Sequence, residues 1–159
     1  MDLNCIDENT FIAKEIKTVS YRKKMITHKI TSSDDIYKYL VKLRNSLNHD
    51  DFVESFYIFV LSRANNIIGW KRISQGGTTG TVVDIKLIAK FATNLLGCSI
   101  ILAHNHPSGN INPSNSDKQI TEKIKNGMNF LEIQLLDHII ISEEEPFQTY
   151  FSFADEGIL

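Results

Sequence analysis

Hydrophobic positions along the chain switch repeatedly between the helical and the strand period. In "TSSDDIYKYLVKLRNSL", residues 31–47, Ile36, Tyr39, Leu40, Leu43 and Leu47 fall at helical spacing behind Ser and Asp residues suited to N-capping, which predicts an amphipathic helix. "ESFYIFVLS" at 54–62 is β-branched and aromatic, "RANN" has turn chemistry and "IIGWKRIS" at 67–74 supplies a second strand, so the pair predicts a hairpin. Asp84 can cap a second helix in which Ile85, Ile88, Ala92 and Leu95 share a face, with Gly97 placed to end it. "CSIILA" at 98–103 is wholly apolar, as expected of a strand covered on both faces. A third helix is predicted over "NSDKQITEKIKNGMNFL" at 115–131, where Ile120, Ile124, Met128 and Leu131 form one stripe. "IQLLDHIIIS" at 133–142 returns as a buried strand, "TYFSF" at 149–153 as an edge strand, and "ADEGIL" as a short tail. At the other end "KKMITHKI" at 23–30 alternates as a strand, while residues 1–18 show no period and read as an arm or short helix. Strands interleaved with three helices predict an α/β or α+β fold built on one sheet of mixed direction.

Composition narrows the class. A chain of 159 residues with 42% apolar and 23% charged content suits a single globular domain, and no repeat, low-complexity tract or linker divides it. Seventeen Lys plus Arg against nineteen Asp plus Glu leave a net charge of -2, so no overall field draws the chain to nucleic acid or an anionic membrane. The basic run Arg22, Lys23, Lys24 reads as a solvated strand edge. Cys5 and Cys98 lack a C-x-x-C partner, which argues against a disulfide framework or a zinc ribbon and suits a reducing compartment. The first residues are acidic where a signal peptide would be basic, and no apolar run approaches a membrane span, so the expected location is the cytoplasm.

The chemistry gathers in "HNHPSGNINPSNSD", residues 104–117. Positions i and i+2 of a strand share a face, so His104 and His106 can aim at one point if strand geometry persists through Asn105. Two converging imidazoles suit a divalent transition ion, and zinc accepts a carboxylate as third protein ligand with water in the fourth position. Asp117, near the start of the third helix, is the candidate. "SNSD" also reads as a capping box, Ser114 at the N-cap and Asp117 at N3, which explains both residues without a metal. Asn105 and Pro107 read as loop-shaping residues.

Together His104, His106, Ser114 and Asp117 spell H-x-H-x7-S-x2-D, which resembles the JAMM motif of JAB/MPN-type metalloproteases. The wording around it is similar to the RadC-like branch of that family: an acidic residue ahead of "FYIFVLS", the "QGG" turn, "IILAHNHPSG", "LLDHIII" and "YFSFADEG". The resemblance runs from about Ile26 to the end, which implies an arm over residues 1–25 and a RadC-like JAB/MPN domain of cytidine-deaminase-like architecture over 26–159. It further implies one Zn2+ per chain held by His104, His106 and Asp117, with Ser114 assisting the oxyanion and Glu54 as general acid and base. The expected activity is that of a hydrolase of the metalloprotease kind. In it a zinc-bound water, its pKa brought to about 7, attacks the amide carbonyl of a peptide or protein substrate.

Other residues take plainer roles. His138 in "LLDHIII" reads as a satisfied core histidine or one that supports a ligand rather than binding metal. "QGGTTG" at 75–80 lacks the pattern of a phosphate loop and reads as a flexible turn. Phe56, Phe59 and Trp70 are expected in the core or an interface, and Cys98 is expected to pack rather than ligate. RadC-like proteins often carry a helix-hairpin-helix module that 159 residues do not accommodate, so a DNA-repair role tied to that module is not carried over. "VDIKLI" at 83–88 stands where many relatives have a Pro-Arg pair. Two rival functions follow, a non-catalytic scaffold that keeps the metal for stability and a DNA-repair-associated factor; the net charge disfavours the second.

Overall fold

The protein is described here by a computed structural model that covers residues 28–47, 52–76, 83–142 and 149–159. The expected N-terminal arm, most of the strand expected over 23–30, the basic run, Cys5 and all of the glycine turn beyond Gly76 lie outside the described residues. Of that first strand the described part is one antiparallel bridge, Lys29 to Asn66.

In chain order the elements are α1 (Ser33–Ser46), β1 (Ser55–Leu61), β2 (Ile67–Gln75), α2 (Ile85–Asn94), β3 (Ser99–Asn105), α3 (Asn115–Asn129), β4 (Gln134–Ser142) and β5 (Thr149–Ser152). The α1 start is fixed by a capping box in which the Ser32 side chain accepts from the Asp35 N–H and the Asp35 carboxylate accepts from the Ser32 N–H. The sheet runs in the order β2-β1-β3-β4-β5. β1 pairs antiparallel with β2 and β3, β4 with β5, and β3 runs parallel to β4, with α3 as the crossover between them. This is the mixed α+β sheet flanked by helices that the pattern predicts, with an architecture that agrees with a JAB/MPN-like fold.

Both faces of the central strands are covered, which is why β1 and β3 are buried at every residue. On one face Tyr57, Phe59, Leu61, Ile101, Ala103, Ile139 and Ile141 pack with Ile36 and Leu40 of α1. On the other, Phe56, Ile58, Val60, Ile100 and Leu102 pack with Ile88 and Ala92 of α2 and Ile124 and Met128 of α3. Alternate residues of β1 and β3 therefore face different helices. Trp70 is partly buried against the α1 face, and Phe56 and Phe59 lie in the core.

Three expectations need correction. The buried stripe of α3 is Thr121, Ile124 and Met128, while Leu131 lies beyond the helix end and is exposed. Cys98 is exposed rather than packed. Gly97 does not supply the left-handed end of α2: Leu96 does, at φ 52, with its N–H bonded to Thr93 O at 3.0 Å and the Gly97 N–H to Ala92 O at 3.0 Å. Glycine is required at 97 for a different reason, because a Cβ there would meet Val60 Cγ1 at 2.2 Å. No helix among the described residues is long and apolar enough to cross a membrane.

These two adjacent positions should respond oppositely in denaturant unfolding. Leu96→Gly relieves the left-handed backbone at an exposed site and should stabilise by up to about 1 kcal/mol. Gly97→Ala forces α2 away from β1 and should cost about 1–3 kcal/mol.

Candidate metal centre

At its C-terminal end β3 carries His104 as the last residue paired with β1, opposite Phe56, and places it beside Ile140 of β4. The His106 N–H still reaches Ile141 O at 3.1 Å, so the chain keeps to β4 for one residue past the strand. That preserves the alternation, and His104 and His106 converge. A turn follows at Pro107 and Ser108, and Gly109 adopts φ 77. Regular structure resumes at Ser114, the N-cap of α3, whose capping box with Asp117 is complete: Ser114 Oγ accepts from the Asp117 N–H at 3.1 Å, and Asp117 Oδ2 accepts from the Ser114 N–H at 2.7 Å and the Ser114 hydroxyl at 2.6 Å. The capping and the metal readings are compatible, because the cap holds Asp117 rigidly while its carboxylate faces the histidines.

The edges of the resulting triangle are short. His104 Nε2 lies 3.0 Å from His106 Nε2 and 3.3 Å from Asp117 Oδ1, and His106 Nε2 lies 3.5 Å from Asp117 Oδ2. Ligand atoms about 2.0–2.2 Å from a tetrahedral metal stand about 3.3–3.6 Å from one another. The contacts to Asp117 use its two different oxygens, and one ligand atom from each of the three residues lies within 4.8 Å of the others, close enough to share one ion. His104, His106 and Asp117 are the His/Cys/Asp/Glu group among the described residues that could hold a metal ion. The His106 Nδ1 donates to Asn110 O at 2.5 Å, since a carbonyl only accepts, and a neutral His106 therefore presents the lone pair of Nε2. Hydrogen bonding to Asp117 raises the His106 pKa, and burial opposes this. Burial also pushes the Asp117 carboxyl up, but the neighbouring His104 and His106 and the hydrogen bond from Ser114 prevail and hold it well below the usual carboxylate range.

Glu54 directly precedes β1, on the strand neighbouring His104, and continuing the β1–β3 register past Phe56 sets it opposite His106. It is half-buried. Burial raises its pKa, the charges of His104 and His106 lower it and that of Asp117 raises it, with a net upward shift. Its backbone is held from the other side of β3. Asn105, facing α1, accepts from the Ser55 N–H at 2.9 Å and donates to Val53 O at 3.1 Å, so one carboxamide grips the peptide groups on both sides of Glu54. Arg44, a buried residue of α1, donates to the same Asn105 Oδ1 at 3.1 Å and to the Tyr57 hydroxyl at 3.4 Å. Asn105 is expected to shape its own loop; instead its side chain holds the Glu54 segment.

His138 is fully buried with both ring nitrogens engaged, Nε2 with His104 Nδ1 at 2.9 Å and Nδ1 with Thr121 Oγ1 at 2.6 Å. It supports His104 and does not join the triangle. Burial drives its pKa well below the ordinary histidine value, with the nearby His104 adding to the shift. Its placement depends on an irregularity in β4: Ile100 pairs with Leu135 but Ile101 with Asp137, so Leu136 is an extra residue. Without that bulge His138 would stand beside Ala103 and face α1; with it, His138 stands beside Leu102 and faces α3. Sequence reasoning missed Arg44 and Thr121. The second could have been found, since Asp117, Thr121, Ile124 and Met128 lie at helical spacing on the core side of α3.

Comparison with known proteins gives the family of the chain. A family model described as a RadC-like JAB domain matches residues 30–158. The chain belongs to the RadC-like JAB domain family. Among similar proteins are UPF0758 proteins of Flavobacterium johnsoniae (42% identical over 130 residues, 82% of this chain and 53% of the relative), Porphyromonas gingivalis (41% over 106 residues, 67% and 45%) and Fusobacterium nucleatum (38% over 153 residues, 91% and 62%). This RadC-like JAB domain therefore spans about half the length of the curated relatives it matches.

Two substitutions test the supporting groups. Asn105→Ala leaves the buried Arg44 and the Ser55 N–H without this acceptor and should cost about 2–4 kcal/mol in urea unfolding, with faster amide exchange at Ser55. Because the folded pKa of His138 is depressed, its neutral form contributes stability above the unfolded value near 6.5, and this is lost as pH falls. The metal-free His138→Gln variant should consequently lose less stability than wild type between pH 7.5 and 5.5, by up to about 1.4 kcal/mol per pH unit in the range where the unfolded chain takes up the proton.

Proposed function

We propose that this RadC-like JAB domain is a zinc-dependent hydrolase of amide bonds, a peptidase or isopeptidase acting on a peptide or protein substrate. The observation that carries the reading is the set of edges between His104 Nε2, His106 Nε2 and the Asp117 carboxylate, 3.0 to 3.5 Å, with the half-buried Glu54 just ahead of the neighbouring strand and within electrostatic reach of all three. Two imidazoles and a carboxylate are the ligand set of a catalytic rather than a structural zinc site, because three protein ligands leave a position for water or substrate. When bound, zinc supplies a Lewis acid that acidifies water and polarises the scissile carbonyl.

The chain's own residues do the rest. Glu54 takes the proton of the attacking water and returns it to the leaving amine, a role that suits a carboxylate whose pKa is raised toward neutrality. Asp117 stays ionised across the working pH range and so remains a ligand. Ser114, exposed at the helix start, can donate to the developing oxyanion after its hydroxyl leaves Asp117 Oδ2, the acceptor it now serves at 2.6 Å. Among the described residues no histidine is positioned to activate Ser114 as a nucleophile if both His104 and His106 hold metal, which favours direct attack by water over a covalent intermediate.

Protein purified without chelator should contain about one zinc per chain, and His104→Ala should contain none; a zinc-free wild type would overturn the proposal. Glu54→Gln should retain the zinc and lose about 10²–10⁴-fold in hydrolysis of a peptide or isopeptide library. Full retention of biological activity in Glu54→Gln would instead favour a metal-stabilised scaffold. Hydrolysis should rise with pH through a group titrating above the ordinary carboxylate value of 4.5, as Glu54 loses its proton and becomes a base.

A further inference from the structure

Behind the His104 ring, on the side away from His106, four groups form a continuous hydrogen-bonded chain whose proton positions are fixed by its far end. The Asp117 carbonyl oxygen can only accept, so the Thr121 hydroxyl donates to it at 2.5 Å. With its single proton committed, Thr121 Oγ1 accepts from His138 Nδ1 at 2.6 Å. A neutral imidazole has one N–H, so His138 Nε2 is left as an acceptor and His104 Nδ1 donates to it at 2.9 Å. His104 Nε2 then carries a lone pair, directed at His106 Nε2 and Asp117 Oδ1.

We propose that Thr121 and His138 are positioning residues that hold His104 in its Nδ1–H tautomer, so that Nε2 is delivered to the metal as a ready ligand. The surroundings suit that task. His104 and His138 are fully buried and Thr121 nearly so, which removes competing water. Phe153 stacks on His138 at 4.9 Å and Phe56 on His104 at 5.8 Å, fixing the ring planes. The opposite proton pattern would aim an Nε2–H from His104 into the triangle and leave two oxygens, Thr121 Oγ1 and Asp117 O, at 2.5 Å with no proton between them. The chain also makes α3 contribute twice, through the Asp117 side chain in front of His104 and through its main-chain carbonyl behind it.

The purpose assigned to this relay rests on the zinc reading, but the proton pattern belongs to the metal-free chain and is measured there. Long-range ¹H–¹⁵N spectra of ¹⁵N-histidine-labelled, metal-free protein at neutral pH should show both His104 and His138 protonated at Nδ1. Thr121→Val keeps the side-chain shape and deletes the hydroxyl. It should lose the Nδ1–H form of His138 and weaken Zn2+ binding about 10–100-fold in competition with a chromophoric chelator, and Thr121→Ser should restore both. A wild-type His104 protonated at Nε2 would overturn the proposal, as would a Thr121→Val protein with wild-type tautomers and affinity. A wild type that binds no zinc would overturn the previous section's reading, while the spectra of the same protein still decide the tautomer.

Discussion

The two-residue period of β3 is the constraint on which the site depends. Neighbouring residues at its end face opposite layers, His104 toward α3 and Asn105 toward α1, because successive strand side chains point to opposite sides. The first meets Asp117 and His138, and the second grips the backbone around Glu54. A single strand end thus controls both halves of the candidate chemistry, the ligand set in front and the acid-base residue beside it. Slipping β3 by one residue would send the histidine to α1 and the amide to α3, and neither partner set would exist.

A second device compensates for a parity conflict. β4 runs parallel to β3, and an unbroken register would set His138 facing α1 among apolar residues. The extra residue Leu136 shifts the phase so that His138 reaches His104, and Leu136 itself packs against the α1 layer. The bulge is costly in ladder pairing, but it brings a fully buried, neutral imidazole to a position where both of its nitrogens are satisfied. α3 completes the arrangement because its capped first turn presents one side chain and one carbonyl to the same histidine.

Much of this was legible beforehand. The eight described elements follow the hydrophobic periods closely, since each helix has one buried stripe and the inner strands are apolar on both faces. The capping boxes at Ser32 and Ser114 were readable because they depend only on residues three apart. The end of α2 was misjudged for an instructive reason. Gly97 sits where a left-handed terminator is expected, yet its lack of a side chain serves the contact with Val60, and Leu96 bears the strained backbone at an exposed position. Local sequence could not distinguish these uses, because the decisive neighbour is on another strand.

By itself, then, the sequence determined the order and type of the elements and brought His104, His106, Ser114 and Asp117 within one short stretch of chain, because periodicity, caps and turns are encoded between near neighbours. Family resemblance singled out Glu54, which lies half-buried just ahead of β1. Only the tertiary structure decided that Asn105 and Arg44 secure the Glu54 segment, and that Thr121 and His138 stand behind His104. Those contacts join residues 17 to 61 positions apart, and strand register, a one-residue bulge and helix packing, rather than any local pattern, set who meets whom.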